Sequence, residues 1–146
     1  MDSNILSEKL RESTRLFIRK LGVMEQGGAV CCGITYAQCH ALVETGRKEI
    51  LSVNELAELL NLDKSTVSKT VEQLVKSGMM LRETSARDRR YVDLKLTKAG
   101  QEMFQSIETR MKTYFTNILH GIPKEKHEQV IESMQLLSEA LKGIER

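Results

Sequence analysis

Apolar residues recur along this chain at helical spacing, except in one short stretch where they alternate. Over residues 3–21, Leu6, Leu10, Phe17 and Leu21 share one helical face, and Gly22 is placed to end that helix. Residues 22–33 contain four glycines and read as a loop. Thr35 is an N-cap residue type, opening a second helix that ends near Thr45 and Gly46. Ser52 and Glu55 form the S-x-x-E pattern of a capping box, ahead of a helix holding Leu56, Ala57 and Leu60. Asn61 falls where the chain must turn with positive φ, which asparagine tolerates better than most residues. Asp63 is placed to cap a helix over residues 64–77, with Val67, Val71, Leu74 and Val75 as its buried stripe and Gly78 at its end. Strands are predicted over residues 79–84 and 91–96. In the second, Tyr91, Asp93 and Lys95 alternate with Val92, Leu94 and Leu96, the period of a half-buried strand. Thr97 caps a long helix running to about His120, which Gly121, Ile122 and Pro123 break. A last helix over residues 124–144 carries Val130, Met134, Leu137, Leu141 and Ile144 at intervals of four, three, four and three, a narrow seam of coiled-coil type.

Helix, tight turn, helix and two-stranded wing, in that order, predict a mainly α fold with a small β-wing. This is a winged helix-turn-helix flanked by N- and C-terminal dimerisation helices. The chain divides on this basis into one domain with three parts. Residues 1–34 and 121–146 supply the dimerisation helices, residues 35–97 the winged helix-turn-helix, and residues 98–120 the connecting helix. At 146 residues the chain can bury a core of its own.

Net charge is only +2, but its distribution is uneven. From Lys64 to Lys98 there are nine lysines and arginines against four acids, so the rest of the chain is net acidic. A basic segment of this kind suits a polyanion, here double-stranded DNA. On the 64–77 helix, Lys64, Ser65, Thr66, Ser68, Lys69 and Gln73 are the candidate DNA contacts. Short hydroxyls near the helix start can approach base edges, Lys69 and Gln73 can reach bases or phosphates, and the leading N–H groups can bind phosphate. In the loop between the strands Arg87 and Arg89 are the further candidates, since a wing-tip arginine can enter the minor groove. A carboxylate facing DNA would repel it, so Asp88 is expected to pair with Arg90 and brace the wing. A partner helix-turn-helix on a two-fold axis would read a palindromic operator, which favours a homodimer. The competing function is a winged-helix protein–protein interaction module with no sequence-specific DNA binding.

The same segment resembles the MarR family of regulators. Leu56-Ala57 with Leu60, then Asp63-Lys64-Ser65-Thr66-Val67-Ser68, then Asp88, Arg90, Leu96 and Thr97 fall at the spacing of that family's helix-turn-helix and wing. The flanking helices fit too, so the resemblance spans nearly the whole chain. It implies an obligate dimer built from the first and last helices, and an effector pocket between that part and the DNA lobes. It also implies repression relieved by a small ligand or by oxidation.

Cys31, Cys32 and Cys39, with His40 beside the last, leave three alternatives open. They pack as small hydrophobes, they sense oxidants through a thiolate, or they bind a soft metal or metalloid. Peroxide-sensing members of the family it resembles place a cysteine in the first helix and zinc-sensing members place histidines on the helix after the wing; this chain has no cysteine in its first helix and no histidine from Glu102 to Arg110, with His120 and His127 too far along to substitute. No cofactor is required. No catalytic constellation is present, because consecutive Cys39 and His40 project about 100° apart on a helix. An odd number of cysteines, a charged N-terminus and no long apolar run give a cytoplasmic chain with no membrane span as the expectation.

Overall fold

The computed structural model describes residues 2–26 and 33–144. Among these residues six α-helices run in the order α1 (Ser3–Gln26), α2 (Tyr36–Lys48), α3 (Val53–Leu60), α4 (Lys64–Lys76), α5 (Lys98–His120) and α6 (His127–Lys142). Three short strands, β1 (Leu51–Ser52), β2 (Met80–Thr84) and β3 (Val92–Leu96), form one antiparallel sheet in the order β1-β3-β2. The chain clusters into two compact units, Met1–Ile107 and Glu108–Arg146. No described helix is long and apolar enough to cross a membrane.

Helices α2, α3 and α4 and the sheet share the core of the first unit, where Leu42, Leu51, Leu56, Val67, Val71, Leu74, Met80 and Leu94 are almost completely buried. That burial decides the outcome for α3. Eight residues are too few to hold a helix in water, but burying a leucine is worth about 1.5–3 kcal/mol. The helix is also closed by the Ser52–Glu55 capping box, with Ser52 Oγ accepting from Glu55 N–H and Glu55 Oε1 from Ser52 N–H, both at 3.1 Å. A second capping box, Thr35 with Gln38, opens α2.

Two helices outrun their predicted ends. Helix α1 continues past Gly22 to Gln26, since one interior glycine costs only about 1 kcal/mol relative to alanine. Helix α2 continues past Gly46 to Lys48. Gly46 is there for close approach, because a Cβ would stand 2.7 Å from the Phe104 ring. The last helix begins later than predicted. Residues Lys124–Lys126 form a 3-10 turn, and α6 starts at His127, whose Nε2 lies 2.8 Å from the Leu119 carbonyl and 2.9 Å from that of Ile122. Strand β1 was not predicted, as two residues carry no period. It pairs Leu51 with Leu94 and Ser52 with Asp93. Strand β3 is buried only at Leu94, with Val92 exposed. The hairpin leaves the core after Met80, so the period-two pattern outlasts the surface it could pack on.

Between α2 and β1 the backbone makes a tight turn with Glu49 at φ 67°, ψ −51° and Ile50 N–H donating to the Lys48 carbonyl at 2.8 Å. This is the γ-turn of the rarer, strained hand, and a side chain there carries a cost of about 1–3 kcal/mol. Glu49→Gly should therefore raise the melting temperature by a few degrees in thermal denaturation followed by circular dichroism. A lower melting temperature would show that the turn is not strained.

Candidate nucleic-acid interface

The turn before α4 is made by Asn61 in the left-handed region at φ 54°, ψ 45°. It aims α4 so that Val67, Thr70, Val71 and Leu74 face the core. Lys64, Ser65, Thr66, Ser68, Lys69, Glu72, Gln73 and Lys76 then stand exposed. Thr70 was not in the predicted stripe, and it is tolerated because its hydroxyl donates to the Thr66 carbonyl at 3.1 Å.

Several of these polar groups are already engaged. Lys76 pairs with Glu72 at 3.4 Å, which removes most of its net charge from the face. Gln38 Nε2 on α2 donates to Gln73 Oε1 at 3.1 Å, leaving the Gln73 amide to present its N–H donors. Asp63 holds the N-cap position, but its side chain makes no capping bond to the backbone. Its Oδ2 instead accepts from Ser65 Oγ at 2.8 Å. The Thr66 and Ser65 hydroxyls hold the Asp63 carboxyl below its ordinary pKa.

Ser85 organises the wing loop, a role its residue type at a strand end did not announce. It is buried, its N–H donates to the Tyr91 carbonyl at 3.0 Å, and its Oγ accepts from Arg87 N–H at 3.2 Å and Asp88 N–H at 3.4 Å. Tyr91 N–H closes the turn on the Asp88 carbonyl at 3.0 Å. Asp88 then grips Arg90 through four contacts. Arg90 N–H and Nε lie 3.1 Å from Oδ1, Nε lies 3.2 Å from Oδ2, and Nη2 lies 2.8 Å from Oδ2. The guanidinium lowers the Asp88 pKa, and the carboxylate raises that of Arg90. Arg90 also lies over the Tyr91 ring at 5.9 Å. Arg87 and Arg89 are exposed and make no ion pair among the described residues.

A groove of about 150 Å³ between the start of α3, the start of α4 and the wing is lined by Lys64, Ser68, Arg90 and Tyr91 among others. Arg90, expected from sequence only as a brace, therefore also lines the groove beside the leading end of α4. Gln38 and Ser85 are the residues that sequence reasoning missed as supports, and Asp63 it read only as a cap. The D-x-S-T and S-x-x-D patterns around Asp63 and Ser85 were the available signals.

A depressed carboxyl pKa means that the brace is intact at neutral pH and weakens only as pH falls through that lowered value. Asp88→Ala should lower DNA affinity a few-fold in anisotropy titrations at neutral pH, although it removes a negative charge. Tighter binding would contradict the bracing role.

Cys39 and His40 are half-buried on α2, and the His40 ring sits edge-on to Tyr36 with centroids 4.2 Å apart. Cys31 and Cys32 lie outside the described residues. Among those described, no group of three or more His, Cys, Asp and Glu side chains could hold a metal ion.

A family model described as the MarR family matches residues 34–92. Over nearly their full lengths, solved structures share the fold. FabT of Streptococcus pneumoniae, solved in complex with DNA, aligns with a TM-score of 0.79 at 23% identity, covering 99% of this chain and 100% of that one. MarR of Staphylococcus aureus, solved with salicylate and kanamycin, aligns with a TM-score of 0.82 at 20% identity, covering 96% and 95%. MepR of S. aureus, solved with DNA, gives 0.71 at 20% identity, covering 93% and 97%. With the Asn61 turn, the polar face of α4 and the Asp88–Arg90 wing inside the span that matches the MarR family model, residues 34–92 form a winged helix-turn-helix of the fold that these structures share.

Proposed function

We propose that this protein is a homodimeric, sequence-specific DNA-binding transcriptional regulator, a repressor released by an effector. The observation that carries this reading is the exposed polar face of α4 standing with a braced wing whose Arg87 and Arg89 are exposed. Lys64, Ser65, Thr66, Ser68, Lys69 and Gln73 enter the major groove from α4, and Arg87 and Arg89 follow the adjoining minor groove. Asp88 and Arg90 hold the wing in position. That FabT and MepR were solved with DNA supports the partner, and that the staphylococcal MarR was solved with salicylate and kanamycin supports a small-molecule effector. Thiol oxidation or a soft metal at Cys31, Cys32, Cys39 and His40 is the other effector class in keeping with the residues.

The dimer is supported by apolar side chains that each terminal helix leaves in solvent. On α1 these include Leu6, Leu10, Phe17 and Ile18, and on α6 Ile131, Met134, Leu136 and Leu141. No residue of α6 is buried. Exposed apolar area of that extent marks an interaction surface, and we propose that a second copy of the chain covers it.

The test is a fluorescence-anisotropy titration onto the DNA upstream of the protein's own gene, against a scrambled duplex, at two salt concentrations. Preferential binding that weakens steeply with salt is expected, because phosphate contacts release counterions. Lys69→Ala and Arg89→Ala should each weaken binding by about tenfold and flatten the salt slope by about one unit, while leaving the dimer folded. Equal binding by both variants would remove α4 and the wing from the interface. Binding that ignores both DNA sequence and salt would favour the protein-interaction alternative.

A further inference from the structure

Asp63 stands where a helix N-cap stands, yet its side chain makes no capping hydrogen bond, and its carboxylate accepts from a side chain. The partner is Ser65 Oγ at 2.8 Å. An ionised carboxylate only accepts hydrogen bonds, and a serine hydroxyl has a single proton and two lone pairs. The proton of Ser65 is therefore committed to Asp63, and what Ser65 offers outward is lone pairs. The Thr66 hydroxyl contributes to the same carboxylate and, with Ser65, keeps it ionised. At the leading edge of α4 the side chains of Asp63 and Ser65 thus present acceptors, beside the leading backbone N–H groups and the cation of Lys64.

In the major groove, cytosine N4 and adenine N6 are the donors, while guanine O6 and N7, thymine O4 and every phosphate oxygen accept. A donating serine would accept all of the latter as partners. A serine whose proton is held inside the protein rejects them. Resting on the DNA-binding reading above, we propose that Asp63 is a positioning residue for base recognition. It fixes the hydrogen-bond polarity of Ser65, so that each half-site carries cytosine or adenine at the base facing it. This differs from a capping role, which would serve helix stability and treat all sequences alike.

The experiment is selection of bound duplexes from a randomised pool by the full-length wild-type protein and by Asp63→Ala, Asp63→Asn and Ser65→Ala. Anisotropy titrations on single-base variants of the selected site follow. Wild type should prefer cytosine or adenine at one position per half-site by about fivefold, the worth of one hydrogen bond of about 1 kcal/mol. Asp63→Ala frees the hydroxyl to donate and Ser65→Ala deletes it, so both should flatten preference at that position alone. Asp63→Asn keeps a side-chain carbonyl oxygen that can still accept from Ser65, so it should retain the preference. A uniform loss of affinity on every sequence with base preferences unchanged, or a wild-type protein that does not distinguish a base pair from its inversion at the position that Ser65→Ala affects, would overturn the proposal. A wild-type protein that selects no sequence would instead remove the DNA-binding reading, and this role with it.

Discussion

Gly100→Ala should cost roughly 3 kcal/mol or more of stability, the upper end of what overpacking a filled site costs, and lower the melting temperature by about 10 °C. A Cβ at Gly100 would stand 2.0 Å from the Met79 carbonyl oxygen, 3.0 Å from its carbon and 3.2 Å from Leu96 Cβ. The obstacle is main chain, so no rotamer change relieves it. Nor can the carbonyl swing aside freely, because it accepts Thr97 N–H at 3.1 Å. Thr97 is the knot at this point. Its Oγ1 donates to the Gly78 carbonyl at 2.6 Å and accepts from Gly100 N–H at 3.1 Å, so the end of α4, the base of the wing and the start of α5 meet around it. The methyl group must part these three elements, and DNA affinity should fall with stability. Thermal denaturation and anisotropy on the same preparation check this. A melting temperature within about 2 °C of wild type would show that α5 does not approach Met79 as described.

Leu141→Asp should leave the proposed dimer as monomers at micromolar concentration. Leu141 is 61% exposed in the single chain, with Leu136 at 65% and Ile144 at 66% nearby. A carboxylate is harmless in such a position while the chain is alone. If a second copy covers the face, each protomer must bury an unpaired charge, at several kcal/mol per ion. The dissociation constant should then rise by at least about a thousandfold, and operator affinity should collapse with it, since two half-sites are no longer read together. Light scattering coupled to size exclusion gives the mass directly. A folded, DNA-binding dimer carrying Leu141→Asp would place the interface elsewhere.

The helix-turn-helix was legible because its signals are local and agree with one another. Ser52 with Glu55, Asn61 before Asp63, and the Val67–Val71–Leu74 stripe each concern residues within one or two turns. Helix ends were less legible. Gly22 and Gly46 look like stops in sequence, but α1 runs through the first. The second lies inside α2 because the Phe104 ring needs its space. Strand β1 was invisible, since its reason for existing is Leu94, more than forty residues downstream.

The candidate site divided along the same line. Which residues are polar and exposed on α4, and which arginines populate the wing, followed from a 3.6-residue period and a count of charges. How those groups are already committed did not. Gln73 is held by Gln38 from another helix, and the Asp63 carboxylate accepts from Ser65. Ser85 is buried beneath a loop of arginines, and Arg90 lines a groove beside Lys64 and Ser68. Sequence alone determined the order of elements and the sign of the surface, because local hydrogen bonding and apolar periodicity act over a few residues. Only the tertiary structure decided which donors and acceptors remain available, because a hydroxyl or amide has few hydrogen bonds to give and its partner is chosen by proximity in space.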